Sequence, residues 1–158
     1  MDPVTALGLA SSITQIADLS GNVFIQLFNY YREVKEAPER SQELRDELRA
    51  VSDLLDSLKK LIIDPSAHTV SSIPTLSKLQ EPLVQFELLV KNMQGRIPQM
   101  ETNRKWSFWE RSRKGLERLK WPFTKEENGR LIESIGRYKG IFIWAITMYQ
   151  TYGSHFVS

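Results

Sequence analysis

Between positions 104 and 120 the chain places seven basic residues, Arg104, Lys105, Arg111, Arg113, Lys114, Arg118 and Lys120, against two acids, Glu110 and Glu117. Trp106, Phe108 and Trp109 are interleaved with them. Rings beside lysine and arginine suit the headgroup region of a bilayer, where aromatics take the interface and cations meet anionic lipid. On that reading Arg104, Lys105, Trp106, Trp109, Arg111, Arg113 and Lys114 are the headgroup contacts. Nucleic acid accepts the same composition. A solvated helix whose tryptophans pack onto the body of the protein explains it equally well.

Catalytic chemistry finds no footing. No glycine is followed by Lys-Ser/Thr at phosphate-loop spacing, and no dinucleotide glycine fingerprint occurs. His68 and His155 have no carboxylate or second histidine at metal spacing, and the Glu-x-x-His pair of a di-iron bundle is absent. The carboxylates between Glu43 and Asp56 alternate with Arg and Lys, as on a solvated face. Glu126 and Glu127 are explained by a helix N-terminus. With no cysteine there is no disulfide framework, thiolate site or palmitoylation, which is compatible with a reducing compartment. A net charge of +2 does not call for nucleic acid. The expectation is a protein that is not an enzyme, with no cofactor, no metal and no nucleic-acid partner.

The element that must do the positioning is the first one. From Pro3 to Tyr31 the only charged residue is Asp18. Asp2 followed by Pro3 is a helix start, a side-chain acceptor before a residue whose missing N–H costs nothing there. Leu9, Ile13, Ile16, Val23, Leu27, Tyr30 and Val34 form one stripe, and Leu7, Ala10, Ala17, Phe24, Phe28 and Tyr31 a second. A helix apolar on two faces is enclosed by other helices or bound for a membrane. As a span it is marginal, because Asp18 near the middle costs about 2.5–3.5 kcal/mol on an insertion scale. Nor does Met1-Asp2 open a secretory signal, since no basic region precedes the apolar one.

The remaining pattern is helical throughout. Leu44, Leu48, Val51, Leu55, Leu58 and Ile62 predict a one-sided helix over about 38–63, opened by Pro38. A loop follows over 64–74, and then a short turn near Leu76 to Leu79. Leu83, Phe86, Leu89, Val90, Met93 and Ile97 predict a helix over about 82–97 that stops at Pro98. Trp121-Pro122-Phe123 ends the basic segment, and Thr124 and Glu127 have capping-box spacing. The last helix, about 125–152, carries Leu131, Ile135, Tyr138, Phe142, Ala145, Tyr149 and Tyr152. It also carries the four-apart pairs Glu126/Arg130 and Glu133/Arg137. Its apolar run from Ile141 to Met148 is expected at the centre of the bundle. Gly136 and Gly140 have small-xxx-small spacing that suits close helix packing. The fold class is all-α, one domain over 1–158, a bundle of four to five helices with a long N-terminal helix.

A Met-Asp-Pro start, the nearly chargeless first helix, Val34-Lys35-Glu36-Ala37-Pro38 leading into Leu44-Arg45-Asp46-Glu47-Leu48, and Leu119-Lys120-Trp121-Pro122-Phe123 before Glu126-Glu127 occur together. In this combination the chain resembles the fungal HeLo-like domain, found at the N-terminus of STAND receptors (NLR-like NTPases) and related ankyrin-repeat proteins. The resemblance extends over nearly the whole chain, and the Trp-Pro-Phe junction is its most telling part.

The resemblance implies an effector of programmed cell death, as in heterokaryon incompatibility and fungal immunity, excised from a larger receptor. Such a domain is cytoplasmic and self-associates when the downstream NTPase or repeat domains cluster. It then targets or permeabilises the plasma membrane through its N-terminal helix, similar to the four-helix domains of mixed lineage kinase domain-like proteins. Membrane phospholipids, anionic ones above all, are then a partner. The insertion residues expected on that view are Leu7, Leu9, Ile13, Ile16, Asp18, Leu19, Val23, Phe24 and Leu27. The rival is an association module that never touches lipid.

Overall fold

The computed structural model describes residues 3–34, 36–63, 78–98 and 120–157, with side chains for 8–34, 36–63, 78–98 and 120–151. Four helices form a bundle: α1, Pro3–Glu33; α2, Ser41–Ile63; α3, Gln80–Arg96; and α4, Lys125–Val157. The loop expected over 64–74, the basic aromatic segment from Arg104 to Leu119, and the Asp2 cap lie outside the described residues.

α1 packs on α2 and α3, and α4 closes the ring against α2 and, more lightly, α3. Side-chain partners give the directions. Arg45 lies over Tyr31, Arg49 over Phe24, and Ser52 reaches Ala17, so α2 runs antiparallel to α1. Asn128 reaches Glu39 and Lys139 reaches Glu47, so α4 runs parallel to α2. Arg96 meets Glu127 while Phe86 meets Phe142 edge-on at 5.8 Å, so α3 and α4 are antiparallel.

The core is built from the expected stripes. Ile13, Val23, Leu27, Leu44, Leu48, Val51, Leu55, Leu58, Phe86, Val90, Ile135 and Phe142 are fully enclosed. Helix period brings such residues to one side of each helix, and four such sides share one interior.

Four expectations need correction. First, α2 begins at Ser41, not Pro38. The Pro38 carbonyl accepts both the N–H and the hydroxyl of Ser41, and Arg40 adopts φ 70°, a left-handed turn that no helix continues through. Second, α3 begins at Gln80, so Pro82 stands inside the first turn, where its missing N–H goes unneeded. Its end is set by Ile97, extended at φ −85°, ψ 123° as a residue before proline must be.

Third, the run from Ile141 to Met148 is not central: Phe142 and Ala145 are buried, but Ile143 and Trp144 stand 46% and 45% exposed. A single helix face cannot bury eight consecutive side chains, and among the described residues α4 packs mainly on α2 and, more lightly, on α3. Fourth, a Cβ added at Gly136 or Gly140 would meet nothing within 4 Å, so neither glycine permits a close approach. Between them, half-buried Lys139 pairs instead with Glu47 of α2 at 2.7 Å.

Candidate functional site: the N-terminal helix and its cover

α1 is divided lengthwise. One side carries Leu9, Ile13, Ile16, Val23, Leu27 and Tyr30, all buried in the shared core. Leu19 and Phe24 are partly buried against it, and Asp18 is exposed with Ser11, Ser12 and Gln15. The bundle therefore brings most of the expected insertion residues together as core. Asp18 it sets on the solvent side, while Leu7 lies outside the described side chains, as do Arg104, Lys105, Trp106, Trp109, Arg111, Arg113 and Lys114.

The second stripe is only half sheltered. Ala10 and Ala17 are buried, Phe24 and Tyr31 are intermediate, and Phe28 is 43% exposed. What lies over its rings is charge. The Arg45 guanidinium carbon sits 4.3 Å from the Tyr31 ring centre and 5.3 Å from that of Phe28. Arg49 lies 5.8 Å from Phe24. Guanidinium over an aromatic face is attractive, because the ring quadrupole is negative there, and the arginine stem covers apolar surface. Arg45 is thus only 6% exposed, against the expectation of a solvated α2 face. Glu47, in its pair with Lys139, departs from that expectation too.

Polar groups of α1 are satisfied locally. The Ser20 hydroxyl, fully buried, donates to the Ile16 carbonyl at 2.7 Å, and Thr14 donates to Ala10 at 2.8 Å. Ser52 of α2 donates to the Ala17 carbonyl at 3.0 Å, beside Gly21, where a Cβ would lie 3.4 Å from the Ser52 oxygen.

The C-terminal end of α1 is held by the Trp-Pro-Phe junction. Tyr30 donates its hydroxyl to the Lys120 carbonyl, and burial pushes its phenol pKa up. The Tyr31 and Trp121 rings meet edge-on at 5.9 Å. Below them Thr124 and Glu127 close the capping box: the Thr124 N–H donates to Glu127 at 3.0 Å, and the Glu127 N–H to the Thr124 hydroxyl at 3.1 Å. The four-apart partners behave otherwise than expected. Arg130 turns to the Glu126 backbone carbonyl and Arg137 to the Ser134 hydroxyl, while Arg96 of α3 takes Glu127.

Sequence reasoning passed over Arg45, Arg49, Ser52 and Asn128. The one signal for the first two was their four-residue spacing beside the leucine stripe, matching the aromatic spacing of Phe24, Phe28 and Tyr31.

Energetically this site is a shelter. Withdrawing Leu9, Ile13, Ile16, Val23 and Leu27 forgoes roughly 1.5–3 kcal/mol for each side chain. The sum is on the scale of a whole domain's stability, about 5–15 kcal/mol. α1 therefore cannot leave while the rest stays folded. Among the described residues no helix is long and apolar enough to cross a membrane, and no cluster of three or more His, Asp or Glu is placed to hold a metal ion. No family model, no curated protein and no solved structure matches the chain.

Proposed function

We propose that this chain is the effector domain of a cell-death receptor of the STAND type, as the HeLo-like pattern of its sequence implies. It is cytoplasmic at rest, self-associates when the attached NTPase or repeat domains cluster, and then acts on anionic phospholipid of the plasma membrane through α1. The observation that carries this reading is the division of α1. One face is buried and apolar apart from Ser20 and the Tyr30 hydroxyl, one is aromatic and roofed by two arginines, and Asp18, the only charge of α1 before Arg32, lies on the open side. Such a helix is too apolar to stand in water alone and too polar to live among acyl chains unpartnered. In an assembly of several copies, Asp18 and the serines would face a shared polar interior while the former core residues face lipid. Clustering supplies the effective concentration that the exchange needs. Because α1 leaves only with the core, activation is opening of the bundle.

A second reading is a non-enzymatic association module without membrane activity. It is favoured by the absence of a span-length apolar helix among the described residues, together with Ile143 and Trp144 standing open on α4. Dye release from anionic vesicles separates the two. Asp18→Leu leaves the resting fold intact, because Asp18 is exposed there. On the membrane reading the intact chain releases dye and Asp18→Leu alters that release with an unchanged unfolding midpoint. Absence of release from the intact chain leaves the association module.

A further inference from the structure

We propose that Arg45 and Arg49, the two arginines of α2 that lie over α1 rings, bind a phosphate group, carried by a lipid headgroup or free in solution. This goes beyond the membrane reading, since a free phosphate satisfies it equally. The starting observation is an unpaired buried cation. Arg45 is 6% exposed, yet its Nε is buried without any acceptor. Among the described residues neither Arg45 nor Arg49 has a hydrogen bond or an ion pair. Among the described residues Arg40 holds Glu43 and Arg96 holds Glu127, each through two nitrogens, while Arg130 and Arg137 find a backbone carbonyl and a hydroxyl.

The rings explain why Arg45 stays and what it still lacks. The Arg45 guanidinium lies over the Tyr31 and Phe28 rings. The ring faces attract its charge but make no hydrogen bond with its N–H donors, and Nε is left without an acceptor. Arg49, one helical turn further along α2, presents a second fork that lies over Phe24. Like charges four residues apart repel, and an anion between them removes that repulsion. Asp46 and Asp53, exposed on α2 on either side of Arg49, pair with neither arginine.

Phosphate matches two guanidinium forks better than a lone carboxylate does, because it offers oxygens enough for both to bind bidentately. Phe28 and Ile25, 43% and 55% exposed on the same stretch of α1, give the site an apolar rim that a headgroup's acyl neighbours would meet.

The test has two arms: titration with inorganic phosphate against chloride at equal ionic strength, read from the arginine side-chain N–H resonances, and co-sedimentation with phosphatidylcholine vesicles with and without phosphatidic acid. Arg49→Gln and Arg45→Met should each weaken binding by roughly tenfold, the loss of a charge-assisted hydrogen bond. Arg130→Gln, which removes an equal charge from α4, should leave it near the wild-type level. Binding of both probes, or of one alone, supports the site and names its source. If Arg45→Met fails to fold, exposed Arg49 decides. Equal effects of Arg49→Gln and Arg130→Gln, or no binding of either probe by the intact chain, overturn the proposal. Dye leakage that survives Arg49→Gln while phosphate binding is lost separates this site from the membrane activity.

Discussion

Asn128, fully buried at the start of α4, accepts the Trp121 indole N–H on its side-chain oxygen at 3.1 Å and donates from its nitrogen to the Glu39 carbonyl at 3.3 Å. One amide thus ties the Trp-Pro-Phe junction, the approach to α2 and the first turn of α4 together, next to the end of α1. Asn128→Leu strands a buried indole donor and a backbone acceptor at once. The expected loss is about 1–3 kcal/mol, the cost of the stranded indole donor, with a smaller share from the part-buried Glu39 carbonyl. Urea unfolding measures it, and a loss well under 1 kcal/mol would mean that water replaces the amide at no cost.

Glu127 gives the bundle an acid-sensitive joint between α3 and α4. The Arg96 hydrogen bond first, and the Thr124 backbone N–H after it, lower its carboxyl from the ordinary 4.5 to about 2. A depressed folded-state pKa stabilises above the unfolded value and is lost as pH falls through the folded one. The stability gap between wild type and Glu127→Gln should therefore be full above pH 4.5 and shrink toward pH 2. Thermal unfolding of both proteins across that window checks it. A gap that stays constant there would mean that Glu127 is not ion-paired in solution.

Gly136 and Gly140 offer a gain rather than a loss. Both lie inside α4 with open space where a Cβ would go. Alanine at either position should stabilise the resting bundle by about 0.5–1 kcal/mol through helix propensity alone. Denaturant midpoints will show it. A loss of stability would mean that the two glycines meet a neighbour after all.

Phe86 joins α3 to α4 through Tyr138 and Phe142, with ring centres 5.3 and 5.8 Å apart. Phe86→Ala should cost about 3–5 kcal/mol, transfer and cavity together. If calorimetry finds much less, α3 is not part of the cooperative core.

The elements were legible in the sequence because helix period is a local signal: every buried leucine from Leu44 to Leu58 stood on the expected stripe. The capping box at Thr124 and Glu127 was legible for the same reason. The roof over α1 was not. Arg45 and Glu47 alternate with other charges, and only the packing of α2 against α1 on one side and α4 on the other decides that the first lies on Tyr31 and the second meets Lys139. Arg96 likewise takes Glu127 from 31 residues away, a pairing that no spacing within α4 announces. The start of α2 failed at Arg40, whose left-handed backbone has no signature in its side chain.

The central claim is that α1 must part from α2 for the domain to act. Gly21 and Ser52 make that measurable, because a Cβ on Gly21 would lie 3.4 Å from the Ser52 oxygen and the chain has no native cysteine to interfere. Gly21→Cys with Ser52→Cys should form a disulfide that pins the two helices. Dye release from anionic vesicles should then be blocked in the oxidised protein and restored by reductant. Equal release from the oxidised and reduced forms would contradict the account.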